Sequence, residues 1–258
     1  MSADEVAGAV TVELPCGVLV GGKLQTIAEI IPMTGAVRKM IARPEIRANP
    51  AKVIDTILMQ CVKSVGSVPK LKKDVADRLF MADRDFLIME IRRISLGDTV
   101  NSVLQCGSCN AKLSVSIDLR TDVPVKKLEE MTYKIVEDNV VFVLEDKGLK
   151  LKATFRFPNG GDQHAVALLY KKNPIEANYA LYQRCLIDWN GTPAEDLPAG
   201  FFENQSLRIV DYIDEHFMEN MPGPDMRVPM NCNECNAEIV LSMESSDFLF
   251  RTPKTERT

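Results

Sequence analysis

LQCGSCNAKLSVSI at residues 104–117 and MNCNECNAEIVLSM at residues 230–243 are near copies of one another. Each holds a Cys-x-x-Cys, then Asn-Ala, a charged residue and an alternation of apolar and polar positions. Leu113, Val115 and Ile117 are the apolar set of the first; Ile239, Leu241 and Met243 are that of the second. A period of two belongs to a β-strand, so each Cys-x-x-Cys lies at a turn from which a strand departs. Cys106, Cys109, Cys232 and Cys235 together supply the four thiolates that a tetrahedral Zn²⁺ takes. The pattern predicts a zinc ribbon split into halves at about 102–119 and 228–244, with one structural zinc per chain. Since 122 residues lie between Cys109 and Cys232, the intervening fold must bring the two knuckles together, by pairing them across a local pseudo-two-fold. A metal bridging such distant positions closes a long loop and constrains the unfolded chain. Asn110 and Asn236 follow the two pairs; Asn is the non-Gly residue best suited to the left-handed backbone that a knuckle turn needs.

Two other readings of the cysteine pairs stand beside zinc: structural thiols without metal, and a disulfide oxidoreductase motif. The redox motif belongs between a strand and a helix of a βαβ unit, whereas both copies here run into strand-like alternation. Cys16, Cys61 and Cys185 are scattered singly, the last two within apolar helical patterns where Cys acts as a small hydrophobe. An odd total of 7 cysteines, with no signal-peptide pattern in MSADEVAGAV, argues against a disulfide framework and for a reducing compartment.

Outward from the knuckles, local patterns predict an α+β chain, with helices segregated from small antiparallel sheets. VTVELPCGVLV and LQTIAEI alternate as an N-terminal hairpin joined across Gly21-Gly22. Met33-Thr34-Gly35 opens a helical piece to about Ala42. Asn49-Pro50 reads as a cap and first helical position, followed by the stripe Val53, Ile54, Ile57, Leu58, Cys61 and Val62. Pro69 opens the helical stretch LKKDVADRLF, whose Lys70, Lys72 and Lys73 suit a solvated helix start. Asp83 precedes RDFLIMEIRRISLG, which is apolar on nearly every side, hence buried, and stops at Gly97. Residues 132–157 form a three-strand meander. Asp162 is the expected cap of HAVALLYKK, and Asn173-Pro174 begins the helix IEANYALYQRCLIDW. A last helix runs from about Phe201 to Met221 with Leu207, Val210, Ile213 and Phe217 as its stripe, and Pro222-Gly223-Pro224 ends it.

With 258 residues, 46% apolar and 26% charged, the chain can bury a sizeable core. Residues 9–250 are expected to form a single α+β domain, between a disordered segment 1–8 and a loose tail 251–258. No apolar run approaches the roughly 18 residues of a membrane span. A net charge of −5 argues against sequence-independent DNA binding.

The chain offers little catalytic machinery. There are 2 histidines, His164 in the first turn of a helix and His216 near a helix end, neither at metal spacing from a partner. Asp83 and Asp85 stand two apart on a helix and do not face each other. PNGGDQ at 158–163 can be an anion-binding turn or a capped strand-to-helix turn; it lacks the Lys-Ser/Thr of a P-loop and the third Gly of a dinucleotide fingerprint. A zinc saturated by four cysteines leaves no open position and is structural. No catalytic residue and no small-molecule substrate are expected.

In order along the chain, Leu14-Pro15-Cys16-Gly17, Pro32-Met33-Thr34-Gly35, DRDFLIMEIRRISLGD (Asp83 to Asp98), the first knuckle, FPNGGDQ (Phe157 to Gln163), and the second knuckle ending in Phe248-Leu249-Phe250 make a series. This series resembles the T4-type phage base plate protein family of contractile-tailed phages and phage-tail-like particles. The family tends to carry Gly where this chain has Asn110 and Asn236. The resemblance implies a non-enzymatic role in tail morphogenesis at the base plate hub, as a retained subunit or as an assembly factor. Its partners would be other base plate, hub or tail proteins, and its place the virion or, during assembly, the host cytoplasm. Neither nucleic acid nor membrane is an expected partner. Phe248 and Phe250 share one face of a strand and suit either a docking edge or the chain's own core. The competing class is a zinc-ribbon nucleic-acid-binding or regulatory module, against which stand the net negative charge and the knuckle tips Gly107-Ser108 and Asn233-Glu234, which offer little to phosphate.

Overall fold

The computed structural model describes residues 8–20, 22–136 and 139–243. All but the last residue of the expected disordered segment 1–8, the whole tail 251–258 and the Phe248/Phe250 edge lie outside the described residues. The architecture is α+β, as the sequence patterns indicate.

The first part builds on a hairpin of β1 (Val10–Val20) and β2 (Lys23–Ile30). Then come α1 (Gly35–Ile41), α2 (Pro44–Arg47), α3 (Pro50–Cys61), β3 (Val62–Val65), β4 (Val68–Pro69), α4 (Lys73–Arg78) and α5 (Met81–Leu96). The four strands form one antiparallel sheet in the order β1-β2-β3-β4. One apolar core joins the sheet to the helices through Ala28, Ile30, Ile57, Leu58, Cys61, Leu87, Ile88 and Ile91. Asn49 caps α3 by accepting the Ala51 N–H at 3.0 Å, as Asn-Pro predicts. The helical reading from Pro69 is corrected. Val68–Pro69 is a short strand paired to β3, Lys70 has φ +55°, and the helix begins only at Lys73.

α5 starts at Met81, before Asp83, and Asp83 is fully buried in its first turn. Its two carboxylate oxygens accept the N–H groups of Cys16 and Gly17 at 2.8 and 3.0 Å, so it clips the irregular stretch of β1 to the helix. Gly17 has φ +89°, and a Cβ there would meet the Gln25 carbonyl oxygen at 2.6 Å, so only glycine fits. Burial pushes the Asp83 carboxyl from 3.8 to about 7, against the pull of the two N–H groups. The folded chain therefore holds a proton that the unfolded chain releases between pH 4 and 7. Stability from this group is full below the unfolded value and falls as pH rises to about 7, by at most roughly 4 kcal/mol. Denaturant unfolding should give a lower stability at pH 8 than at pH 5, and Asp83→Asn should flatten that slope.

The second part follows the first knuckle. It comprises β7 (Val125–Lys126), β8 (Lys134–Val136), β9 (Asn139–Asp146), β10 (Leu151–Arg156), α6 (Gly160–Tyr170), α7 (Pro174–Cys185), β11 (Leu186–Trp189), β12 (Thr192–Pro193) and α8 (Leu207–Glu219). The meander appears as β8, β9 and β10, and the sheet continues as β12-β11-β10-β9-β8. An aromatic core lies over it. Phe142 stacks on Phe155 and Phe157, and Phe217 of α8 meets Phe142 and Phe155 edge-on.

Three expectations are corrected here. Asn159, not Asp162, caps α6; Asp162 is the third helical residue and completes a capping box through the Asn159 N–H. α7 ends at Cys185, and LIDW is strand β11, paired to β10 through Ala153↔Trp189. A short 3-10 turn occupies Phe202–Asn204, and α8 begins at Leu207, whose side chain is 71% exposed rather than part of the buried stripe.

Two further hairpins carry the knuckles: β5 (Thr99–Gln105) with β6 (Lys112–Asp118), and β14 (Arg227–Asn231) with β15 (Glu238–Ser242). β13 (Gly223–Pro224) pairs with β7 just before them. At their base Val100, Ile117, Val228 and Met243 pack with Met89 of α5.

Candidate metal centre

Each Cys-x-x-Cys fills the turn of its hairpin, and the two turns are built alike. Cys106 donates its N–H to Ala111 O and Asn110 donates to Cys106 O, both at 2.9 Å. Cys232 donates to Ala237 O and Asn236 to Cys232 O, both at 2.8 Å. Asn110 (φ +61°) and Asn236 (φ +57°) take the left-handed conformation that the sequence reading requires of them. Neither pair opens a helix, which removes the setting a disulfide oxidoreductase motif needs.

The four sulfurs converge. Cys106 Sγ lies 3.7 Å from Cys235 Sγ, and Cys109 Sγ lies 3.7 Å from Cys232 Sγ. All four lie within 4.8 Å of one another. A tetrahedron of sulfurs at about 2.3 Å from a central ion has edges of about 3.8 Å, whereas a disulfide needs about 2.05 Å. The spacing thus suits a metal ion and not a bond between the thiols. Cys106 and Cys232 are buried with Leu113, while Cys109 and Cys235 face solvent.

The charges point the same way. The N–H groups of Cys109 and Ser108 aimed at Cys106 draw its thiol down to about 6. Cys109 has the Ala111 N–H in its favour, yet the crowding sulfurs of Cys235, Cys106 and Cys232 push it up to about 12. Sulfurs this close repel one another as anions, and a bound cation would relieve that repulsion.

A family model for the T4 bacteriophage base plate protein matches residues 30–250. The chain belongs to the T4 bacteriophage base plate protein family. Comparison with curated proteins and with solved structures returns no match. Membership makes this a structural protein of the phage base plate, placed in the virion tail among other tail or base plate proteins. The matched span contains both knuckles, FPNGGDQ and the Asp83 to Asp98 run; Leu14-Pro15-Cys16-Gly17 precedes it. Among the described residues of this base plate protein, no helix is long and apolar enough to cross a membrane.

A second cluster, invisible in the sequence, brings Asp55, Asp77 and His164 together. Its carboxylates are already paired with Arg84 and Lys73, and His164 bonds Asp55 as well. Arg84 Nη2 lies 2.6 Å from Asp55 Oδ1, while His164 Nε2 lies 2.5 Å and Lys73 Nζ 3.3 Å from Asp55 Oδ2; Lys73 also pairs with Asp77. A divalent ion would have to displace Lys73 and sit beside Arg84, so the group is an ion-pair network joining α3, α4, α5 and α6. Lys73 of the expected basic cluster is therefore engaged here. His216 sits in the last turn of α8, bonded to Glu219 at 2.8 Å.

FPNGGDQ is a capped turn carrying its own charge pairs. Arg156 grips Asp162 with two bonds of 2.6 and 2.9 Å, and Arg184 Nε adds a third at 2.9 Å. Burial alone would raise the Asp162 carboxyl, but the bonds from Arg156 and the Asn159 N–H hold it below its ordinary value. An anion at this helix start would meet that buried carboxylate.

Proposed function

We propose that this protein serves at the hub of the base plate, as a non-enzymatic subunit or assembly factor, and that Cys106, Cys109, Cys232 and Cys235 hold one structural Zn²⁺ per chain. The observation that carries the zinc reading is the pair of 3.7 Å sulfur contacts, each joining one knuckle to the other. Four thiolate ligands complete the shell, so the ion has no position for substrate and acts only as a clip. The clip joins the hairpins that precede and follow the second sheet in the sequence and fixes one against the other. A metal-locked pair of hairpins suits a part whose work is to hold neighbours in register.

Density-gradient sedimentation of a producing-cell lysate tests the role. Cosedimentation with tails or base plates makes the protein a retained subunit. Presence only in light fractions, with tails failing to form on deletion, makes it an assembly factor. Light fractions with tails unaffected by deletion would refute both. The zinc reading is tested separately by metal analysis of purified protein, where one zinc per chain is expected.

A further inference from the structure

We infer that this chain is a tandem duplication of one structural unit, folded as an internal pseudo-dimer, in which each unit supplies an equal half of the metal centre. The knuckle copies are the visible end of a longer repeat. Shifted by 124 residues, Asn49-Pro50 falls on Asn173-Pro174, Cys61 on Cys185 and Pro69 on Pro193; nothing else in those 21-residue windows is identical. The structure shows what those four identities mark.

α3 and α7 are both 12 residues long, begin at the Pro, and are capped by an Asn side chain. Both end on a fully buried Cys that runs straight into a four-residue strand with the same order of buried and exposed positions. The turn after each strand opens with φ +53°, at Gly66 and at Asn190. The return strands then match: Ser64↔Pro69 and Val65↔Val68 in one, Asp188↔Pro193 and Trp189↔Thr192 in the other.

The pairing to the preceding hairpin repeats down to its irregularity. β2 pairs with β3 through Ala28↔Val65, Glu29↔Ser64 and then, after a one-residue slip, Ile30↔Val62. β10 pairs with β11 through Ala153↔Trp189, Thr154↔Asp188 and then, after the same slip, Phe155↔Leu186. Hairpins and helices recur freely in unrelated folds, but a bulge is a specific local device. The same bulge beside the same cap and the same terminal Cys is not expected by chance. The sheet orders β1-β2-β3-β4 and β9-β10-β11-β12 coincide. So do the partners, α1 on α3 and α6 on α7, and α5 on β1 and α8 on β9. Each unit then ends in a knuckle hairpin. α2 and α4 are additions to the first unit, and β7, β8 and β13 are additions to the second.

The metal centre obeys the same symmetry. A two-fold that exchanges the units carries Cys106 onto Cys232 and Cys109 onto Cys235. It therefore turns the Cys106–Cys235 contact into the Cys232–Cys109 contact, and the two distances are equal at 3.7 Å. This is the reciprocal pattern of an isologous interface, here within one chain. The ion site lies on the axis.

The part of this inference that concerns the ion rests on the zinc reading; the duplication does not. The test is a full-length chain in which residues 104–117 and 230–243 trade places. Equivalent half-sites predict the parent's metal-to-chain ratio and a melting temperature within about 4 °C of the parent. A larger fall, or loss of metal held by the parent, overturns equivalence. Should the exchanged chain fail to fold, hydrogen exchange on the parent decides. Chelation should deprotect 99–118 and 227–242 alike, and deprotection of one hairpin alone overturns the inference. A parent without metal would sink the zinc reading, and the exchange would then be judged on melting.

Discussion

Cys106→Ser is expected to weaken zinc binding until a chelator that the parent resists removes the ion, and to loosen the tips of both knuckle hairpins, the one carrying the substitution and its counterpart alike. The reason is the small size of what else holds the tips together. Around the sulfurs, among the described residues, only Cys106, Leu113 and Cys232 are buried, with Leu104, Val115, Ala237 and Ile239 half-covered. A cluster of this size holds the tips of two-stranded hairpins only weakly, while their base stays packed through Val100, Ile117, Val228 and Met243 on Met89. Structural zinc in small domains contributes about 10–16 kcal/mol of binding free energy through four ligands. An even share makes each thiolate worth roughly 3 kcal/mol or more, so the affinity should fall at least about 100-fold. The effect should be non-additive. Cys106→Ser with Cys232→Ser should be hardly worse than either alone, because the first loss already lets the chelator take the ion. Metal analysis after chelation, with hydrogen exchange over 99–118 and 227–242, checks this. Cys61→Ser gives the contrast: Cys61 is buried in the first core, away from the centre, and its loss should cost stability while metal content stays at the parent's level. Equal zinc in parent and Cys106→Ser protein after chelation would remove these cysteines from the role.

The sequence made the metal centre more legible than the body that positions it. Both knuckles, their left-handed Asn residues, the N-terminal hairpin, the meander and the Asn-Pro helix starts are local features, written in spacing and in the few residues that tolerate a given backbone. LIDW was unreadable as a strand because no Gly or Pro separates it from α7; the switch at Cys185 depends on β10 lying alongside. Asp162 looked like a cap because Asp favours that position, but Asn159 occupies it and Asp162 is needed for Arg156 and Arg184. Burial of Asp83 depends on β1, 66 and 67 residues away in sequence. The duplication hid because its units share backbone devices more than side chains. Only the knuckles, whose four cysteines share one cluster, kept enough identity to be seen.

Arg84→Met should destabilise the folded chain by about 3–5 kcal/mol, more than any surface substitution. Arg84 is fully buried, and its guanidinium has three partners: Asp55 Oδ1 at 2.6 Å, Ala76 O at 2.7 Å and Gln163 Oε1 at 2.8 Å. Asp55 and Ala76 belong to the first repeated unit and Gln163 to the second. Gly160 lies against the same guanidinium; a Cβ there would meet Arg84 Nη1 at 2.6 Å. The geometry fixes what the substitution leaves behind. Methionine fills most of the volume, so the cavity is small, but Asp55 is 3% exposed and loses the partner whose bonds lower its pKa. Burial, which opposes that lowering, then acts with only His164 and the half-exposed Lys73 to offset it. A buried charge left without its partner is costly, whereas removing both partners can be nearly neutral. Arg84→Met with Asp55→Leu should therefore recover much of the lost stability, and a double-mutant cycle in denaturant measures that recovery. Full additivity of the two single effects would mean that the pair is not coupled. Zinc content should be unchanged in every variant that folds, because the network lies in the body of the fold and the ion at the tips of the hairpins.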